Sequence, residues 1–429
     1  NDTGKSVRVV ASYIDGSNSS ESVESASVSV NNDAISGGSE IGTLDTQHYI
    51  PPIYARSSLS TANDVKDHYL YLSTLEETAF TVNITNADNS VNKNVTVSKS
   101  SPTLVTLSAG DYGSSGYGAL NIVTDTGANT VNTNDGLVLT ADKRFYANIR
   151  HASGAQGGSL VSKGQTAMGT RFRSGHVYTN IEQKAVKSHF ISLMAMENGT
   201  TVTFSDISPG ITFVGATPST VTLQQYESFV VAMELDDGTN SLVANDLNGT
   251  LVTSDKSIVM NSGSFLAGHS TDTGSGRDIG IDQVVPTAYL GTKFIPVLGD
   301  GGTNAENMER PIVIADTDDT QIFINGSATA IGAIDAGEYY AISGTNYQNG
   351  SMFIRTSQPA YLYQSTSSND NNGQAMNFVA AIFDNLVSQD LLVPDVDQLG
   401  TPTISIVAPS SATVTVDGGD LSDGAAVPG

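Results

Sequence analysis

Three short acidic segments hold the residues best suited to chemistry. ELDDGTN (Glu234 to Asn240), STDTGSGRD (Ser270 to Asp278) and ADTDDT (Ala315 to Thr320) gather hard oxygen ligands on short connections. That chemistry suits calcium, and Asp236, Asp237, Asp272, Asp278, Asp316, Asp318 and Asp319 are the expected ligands. None of the segments has the spacing of an EF-hand loop. A solvated turn accounts for each as well, because turns favour Asp for backbone reasons.

Other chemistries find less support. The six histidines, His48, His68, His151, His176, His189 and His269, form no H-x-H or HExxH spacing. His68 and His189 each open an apolar run, which reads as a structural position. No G-x-S-x-G elbow is present, and GSGRD (Gly274 to Asp278) reads as a loop. Glu234, Asp236, Asp237, Asp316, Asp318 and Asp319 could be paired as glycosidase carboxylates, but they cluster in turns. Gly-rich LGDGGTNAEN (Leu298 to Asn307) lacks the Lys and the following helix of a phosphate cradle. The expectation is therefore a protein that is not an enzyme.

Strands must position these segments. The chain has 429 residues, a hydrophobic share of 38% and a formal net charge of −25, from 19 Lys plus Arg against 44 Asp plus Glu. Such a charge repels nucleic acid. There is no Cys, so disulfides and thiol chemistry are excluded. No apolar run is long enough for a membrane-spanning helix. The absence of an initial Met and of a leader suggests a mature or excised portion. A Cys-free, acidic chain rich in Thr and Asn fits an extracellular bacterial protein.

The middle of the chain repeats. HYLYLSTLEETAFTVNI (from His68), HFISLMAMENGTTVTFS (from His189) and RPIVIADTDDTQIFING (from Arg310) start at intervals of 121 residues. TLVTLSAGDY, STVTLQQYES and AIGAIDAGEY follow in turn. Each copy ends with a Gly turn and two apolar runs about a small polar tip: NDGLVLTADKRFYANIR, NGTLVTSDKSIVMNSGS and QNGSMFIRTSQPAYLYQ. These read as hairpins opened by Asp135-Gly136, Asn248-Gly249 and Asn349-Gly350. A fixed long period signals stacked or pseudo-symmetric units. The expected fold is all-β, with three related sandwich-like repeats of about 120 residues. The expected boundaries are 46–166, 167–286 and 287–399.

The flanks differ. Residues 1–33 read as the last two strands of an immunoglobulin-like module, and 34–45 as a linker. SYIDG followed by ESV and a VNN-type linker resembles the closing segment of tandem bacterial Ig-like repeats. Residues 400–429 read as the start of a further module, with strands in ISIVAP and ATVTV. FVAAIFDNLVSQDLL (Phe378 to Leu392) is the best helical candidate.

TSDKSIVMNSGSFLAG (Thr253 to Gly268), DQVVPTAYLGTKFIPV (Asp282 to Val297), ERPIVIADTDDTQIFING, AIDAGEYY and RTSQPAYLYQ resemble the N-terminal domain family of IgG Fc-binding proteins. The likeness covers roughly the three units, about 350 residues. In bacteria it implies part of a very large secreted surface protein, some of which are linked to type nine secretion and gliding. GDLSDGAAVPG is similar to segments of such proteins. The animal mucus protein behind the family name is rich in Cys, and this chain has none, so antibody binding does not carry over. The expectation is a structural or adhesive segment of a cell-surface protein or filament. Its partners would be neighbouring copies, adjacent modules or surface glycans. The alternative is a glycan-binding or glycoside-processing domain with a site between repeats.

Overall fold

The computed structural model describes residues 43–55, 65–107, 121–153, 157–176, 188–234, 246–267, 278–299, 309–366, 375–382, 404–416, 419–421 and 424–429, together with short strands between residues 6 and 29. Among these residues the architecture is all-β, with only short 3-10 turns beside the strands.

Three units share one topology. Each is built on a long strand: Leu137–Ser153, Leu251–Ala267 and Ile354–Thr366. The first half of each long strand lies between an opening strand (Asp45–Ile50, Gly169–Arg173, Gly291–Phe294) and a third strand (Phe80–Thr85, Thr200–Ser205, Thr320–Ile324). The second half lies between a second strand (Val65–Ser73, Ser188–Ala195, Pro311–Ala315) and a closing strand (Gly157–Val161, Asp278–Val284, Ala375–Phe378). A fourth strand extends the third, and a fifth extends the second.

The repeated segment is therefore not a hairpin. Its two apolar halves are one continuous strand that changes neighbours at the polar tip. In all three units the opening strand advances two residues while the long strand advances five: Gln47 to Asp45 against Thr140 to Phe145, Arg171 to Gly169 against Thr253 to Ile258, and Lys293 to Gly291 against Arg355 to Ala360. The surplus residues bend the strand, as a bulge does at the corner of a sandwich. Ser254 and Thr356 donate their hydroxyls to the carbonyls of Lys256 and Gln358 at 2.7 Å, which fixes the bend. Small polar residues serve a hairpin tip and a strand corner equally, so the pattern did not separate them.

The glycine turns before the second and third long strands form, whereas at Asp135-Gly136, where only the glycine has a positive φ (106°), the chain makes a bend. Asn349 (φ 50°) and Gly350 (φ 77°) are both left-handed, and Gln348 and Ser351 exchange two hydrogen bonds across them, as a type I′ turn requires. At Asn248-Gly249 only the glycine is left-handed (φ 80°), and Thr250 donates to the Leu247 carbonyl, the pattern of a type II turn.

The units stack face to back. Leu70, Leu72, Val82, Ile84 and Ile149 of the first unit pack with Phe190, Val230, Ala232, Ile279 and Ile281 of the second. Ile191, Leu193, Val231 and Met260 of the second pack with Ile312, Ile314, Tyr361, Tyr363 and Met376 of the third. The second unit is thus covered on both sheet faces, which is why FISLMA is buried at every position, Ser192 included, instead of at every other one. The third unit closes its own core with Ile342, Tyr347 and Met352.

At the amino-terminal flank Val10–Ile14 pairs antiparallel with Ser20–Glu24, the expected hairpin. In the carboxyl-terminal flank ISIVAP is not a strand. Ile404, Ile406 and Val407 are exposed, and no described edge pairs with them. ATVTV contributes only Thr415–Val416, paired with Gly419–Asp420. The helical candidate begins in the closing strand at Phe378 and has no helix through Ile382; its remaining residues lie outside the described ones.

Candidate functional site

Several ionisable groups come together where units meet. Asp246, at the start of the turn before the second long strand, is almost fully buried. It accepts the backbone N–H of Asn248 at 2.9 Å and the hydroxyl of Tyr339, from the third unit, at 3.1 Å. His176 Nε2 lies 3.6 Å from Asp246 Oδ1, and the rings of His176 and His189 stack with centroids 3.5 Å apart. Burial alone would push the Asp246 carboxyl up, but His176 beside it, His189 and the Asn248 N–H hold it below the ordinary carboxylate range. His176 and His189 are buried, at 1% and 3% exposure. The cluster acts as a joint.

A second joint lies nearby. Arg173, 2% exposed, donates to Asp316 at 2.6 Å, to Asp206 at 2.9 Å and to the Gly249 carbonyl at 2.8 Å. Arg171 adds a bond to Asp316 at 2.7 Å. Between the first and second units, Lys163 pairs with Asp282 at 2.6 Å, and the other Asp282 oxygen accepts the Phe378 N–H of the third unit at 2.7 Å. Gln283 accepts the Lys163 N–H and donates to the Tyr49 carbonyl. One polar node thereby ties all three units.

The remaining buried histidines belong to the first unit. His68 and His151 face each other across adjacent strands and share a hydrogen bond through their Nδ1 atoms. Burial lowers His68 to about 3 and drives His151 well down, with His68 adding to the second effect. Burial also lowers His48 to about 4, although His48 bonds the Phe145 carbonyl. The repeat offset between the second and third units is 120 residues, not 121, so Arg310 is not the counterpart of His189. Thr200 and Thr320 both donate to the carbonyl three residues back, and 320 − 200 = 120, so the partner of His189 is Glu309. All three positions, His68, His189 and Glu309, are buried polar residues. Sequence spacing missed the His pairs because their members lie 83 and 13 residues apart and meet only across strands. The recurrence of His at the same repeat position was the available signal.

The expected calcium ligands scatter. Asp316 is taken by two guanidiniums and is not available to a cation. Asp318 accepts the Ala336 N–H at 3.0 Å, and Asp319 is a left-handed turn residue (φ 55°). Asp278 accepts the Gly157 N–H of the first unit. Asp236, Asp237 and Asp272 lie outside the described residues, as do His269 and most of the Gly-rich segment. Among the described residues no three of His, Asp and Glu gather as a metal would need.

The IgGFc binding protein family matches residues 157–428, and the chain belongs to that family. The match leaves out most of the first unit, although that unit has the same strand order. It includes the carboxyl-terminal flank expected to start a new module. No curated protein matches the chain. Among solved structures, one reported as "Structural insight into host cell surface retention of a 1.5-MDa bacterial ice-binding adhesin" aligns at 13% identity over 78% of this chain and 96% of that one, with a TM-score of 0.12. A superposition that loose carries no argument. Among the described residues no helix is long and apolar enough to cross a membrane.

Proposed function

We propose that the chain is a non-enzymatic extracellular segment of a bacterial surface protein or filament, which presents its inter-strand connections on a stacked β scaffold. Family membership supports the extracellular setting. The observation that carries the reading is where the ionisable groups go: Arg173, Asp316, Lys163, Asp282, Asp246 and His176 are all engaged in joints between or beside units. A scaffold built to stay rigid under load needs such joints, and function then falls to the connections it holds. Partners on this reading are neighbouring copies, adjacent modules and surface glycans. Calcium would belong to the acidic connections bearing Asp236, Asp237 and Asp272.

The test is negative-stain electron microscopy of native material with and without a chelator, beside a screen of glycoside substrates. Regular fibres or extended multi-unit particles, with no turnover, are expected, and chelation should loosen them. A compact monomer that turns over a glycoside would overturn the reading. That outcome would favour an enzyme built around the Asp246–His176–His189 cluster where the second and third units meet.

A further inference from the structure

The first unit exposes a sheet face that the other two units bury. In the second unit this face carries Phe190, Val230, Ala232 and Ile281, all covered by the first unit. In the third it carries Ile312, Ile314, Tyr361 and Tyr363, covered by the second. In the first unit Leu70, Leu72, Ala147 and Ile149 point inward, so alternation turns Tyr69, Tyr71, Asn148 and Arg150 outward.

The strand register orders this face into two rows. Leu104, Tyr71, Asn148 and Val161 lie side by side on four adjacent strands. Thr106, Tyr69, Arg150 and Ser159 form the next row. Each row is roughly 14 Å long at the usual strand spacing. Leu104 and Val161 close the ends of their row at 51% and 39% exposure, and Tyr71, Asn148 and Arg150 between and beside them are half-buried. The Arg150 guanidinium lies 3.8 Å from the centre of the Tyr71 ring, and its Nε donates to Asn148 Oδ1 at 3.3 Å. Stacking and that bond hold the planar fork in place. Neither row contains a carboxylate; Asp67, opposite Ala152, stands in the row beyond Tyr69 and Arg150.

Register also places Arg150 where the second unit has Gly263, since His151 pairs with His68 as Ser264 pairs with His189. Covering this face with another β unit would bury an unpaired guanidinium, which is costly. An aromatic, flat, half-wet surface with a fixed Arg instead suits a ligand that is itself flat, hydroxylated and anionic. Sugar rings offer apolar C–H faces to tyrosines, and a uronate offers two oxygens to the Arg fork. We propose that this face of the first unit is a docking surface for a carboxylate-bearing glycan, with Tyr71 as the platform and Arg150 as the anion contact. The proposal deepens the adhesive reading and rests on it.

The test is titration calorimetry of the full chain with short oligogalacturonides, and with their methyl esters as neutral controls. The free acids should bind and the esters bind about tenfold more weakly. Arg150→Gln and Tyr71→Ala should each weaken the acid at least about tenfold while the thermal midpoint stays unchanged, since both side chains are partly exposed. Absence of binding by the unaltered chain, or binding that neither variant alters, would overturn the site. So would loss of self-association in Leu104→Glu by sedimentation, because the face would then join copies. In each of these cases fibres seen by microscopy would leave the adhesive reading standing, whereas turnover of a glycoside would remove both.

Discussion

The two joints between units use equivalent positions and opposite chemistry. Tyr49 in the first unit and Arg173 in the second hold the same register beside their long strands, opposite Val138 and Leu251. The residue each approaches follows the second strand of the next unit: Met196 in one joint, Asp316 in the other, and 316 − 196 = 120. At the first joint Tyr49, Val138, Met194, Met196 and Val259 make a small apolar cluster. At the second, Arg173 and Arg171 clamp Asp316. The turn after the fourth strand follows suit. Gln224–Glu227 and Asp335–Glu338 have the same hydrogen bonds, with a Glu carboxylate accepting the first N–H at 2.7 and 2.9 Å. Tyr226 takes the left-handed position in one and stacks on Tyr49, while Gly337 takes it in the other and lies against Gly249. The backbone is thus common, and the neighbour chooses the side chain.

Removing one half of the clamp should have the largest effect. Asp316→Ala leaves Arg173 buried with weaker partners and should cost about 4 kcal/mol in urea unfolding. Replacing both, as Arg173→Met with Asp316→Met, imports the apolar solution of the first joint. Most of the loss should return, because a buried ion pair is often no better than packed hydrophobes. A double variant as unstable as the single one would show that the joints are not interchangeable.

Gly249→Ala should cost about 3 kcal/mol, since a Cβ there would sit 1.8 Å from the Gly337 carbonyl oxygen at a φ of +80°. Thermal unfolding of this variant should report loss of the second joint. Gly350→Ala is the control: the conformation is equally left-handed, but nothing lies within 4 Å, so about 1 kcal/mol is expected.

The pH response separates the first unit from the others. His48 stands where Phe172 and Phe294 stand in the next two, as the opening-strand register shows. Its folded value of about 4 lies below the ordinary 6.5. The stability it contributes is therefore present above pH 6.5 and lost as pH falls through 4. Between pH 7 and pH 4 the loss should reach about 3 kcal/mol. Urea titrations of His48→Phe across that range should show a flatter curve. An unchanged slope would assign acid sensitivity to His68 and His151 instead.

Much of the fold could be read in advance. Alternation, glycine turns and a period near 120 residues gave the strands, the turns and the three units, because each is a local or repeated property of the chain. From sequence alone the corner in the long strand reads as a hairpin, since the tip residues TADKR, TSDKS and TSQPA serve either end. The calcium reading of Asp316 failed for a similar reason: a carboxylate in a turn looks alike whether it meets water, a cation or Arg173.

The sequence by itself determined that this protein is a repeated, acidic, Cys-free β chain, because composition and period are properties of single segments. Only the tertiary structure decided which repeat covers which. Stacking face to back buries the outward face of the second and third units and leaves that of the first open, and this depends on contacts between residues more than a hundred positions apart. The same contacts decide that Arg173 is a buried clamp and Arg150 a half-buried fork.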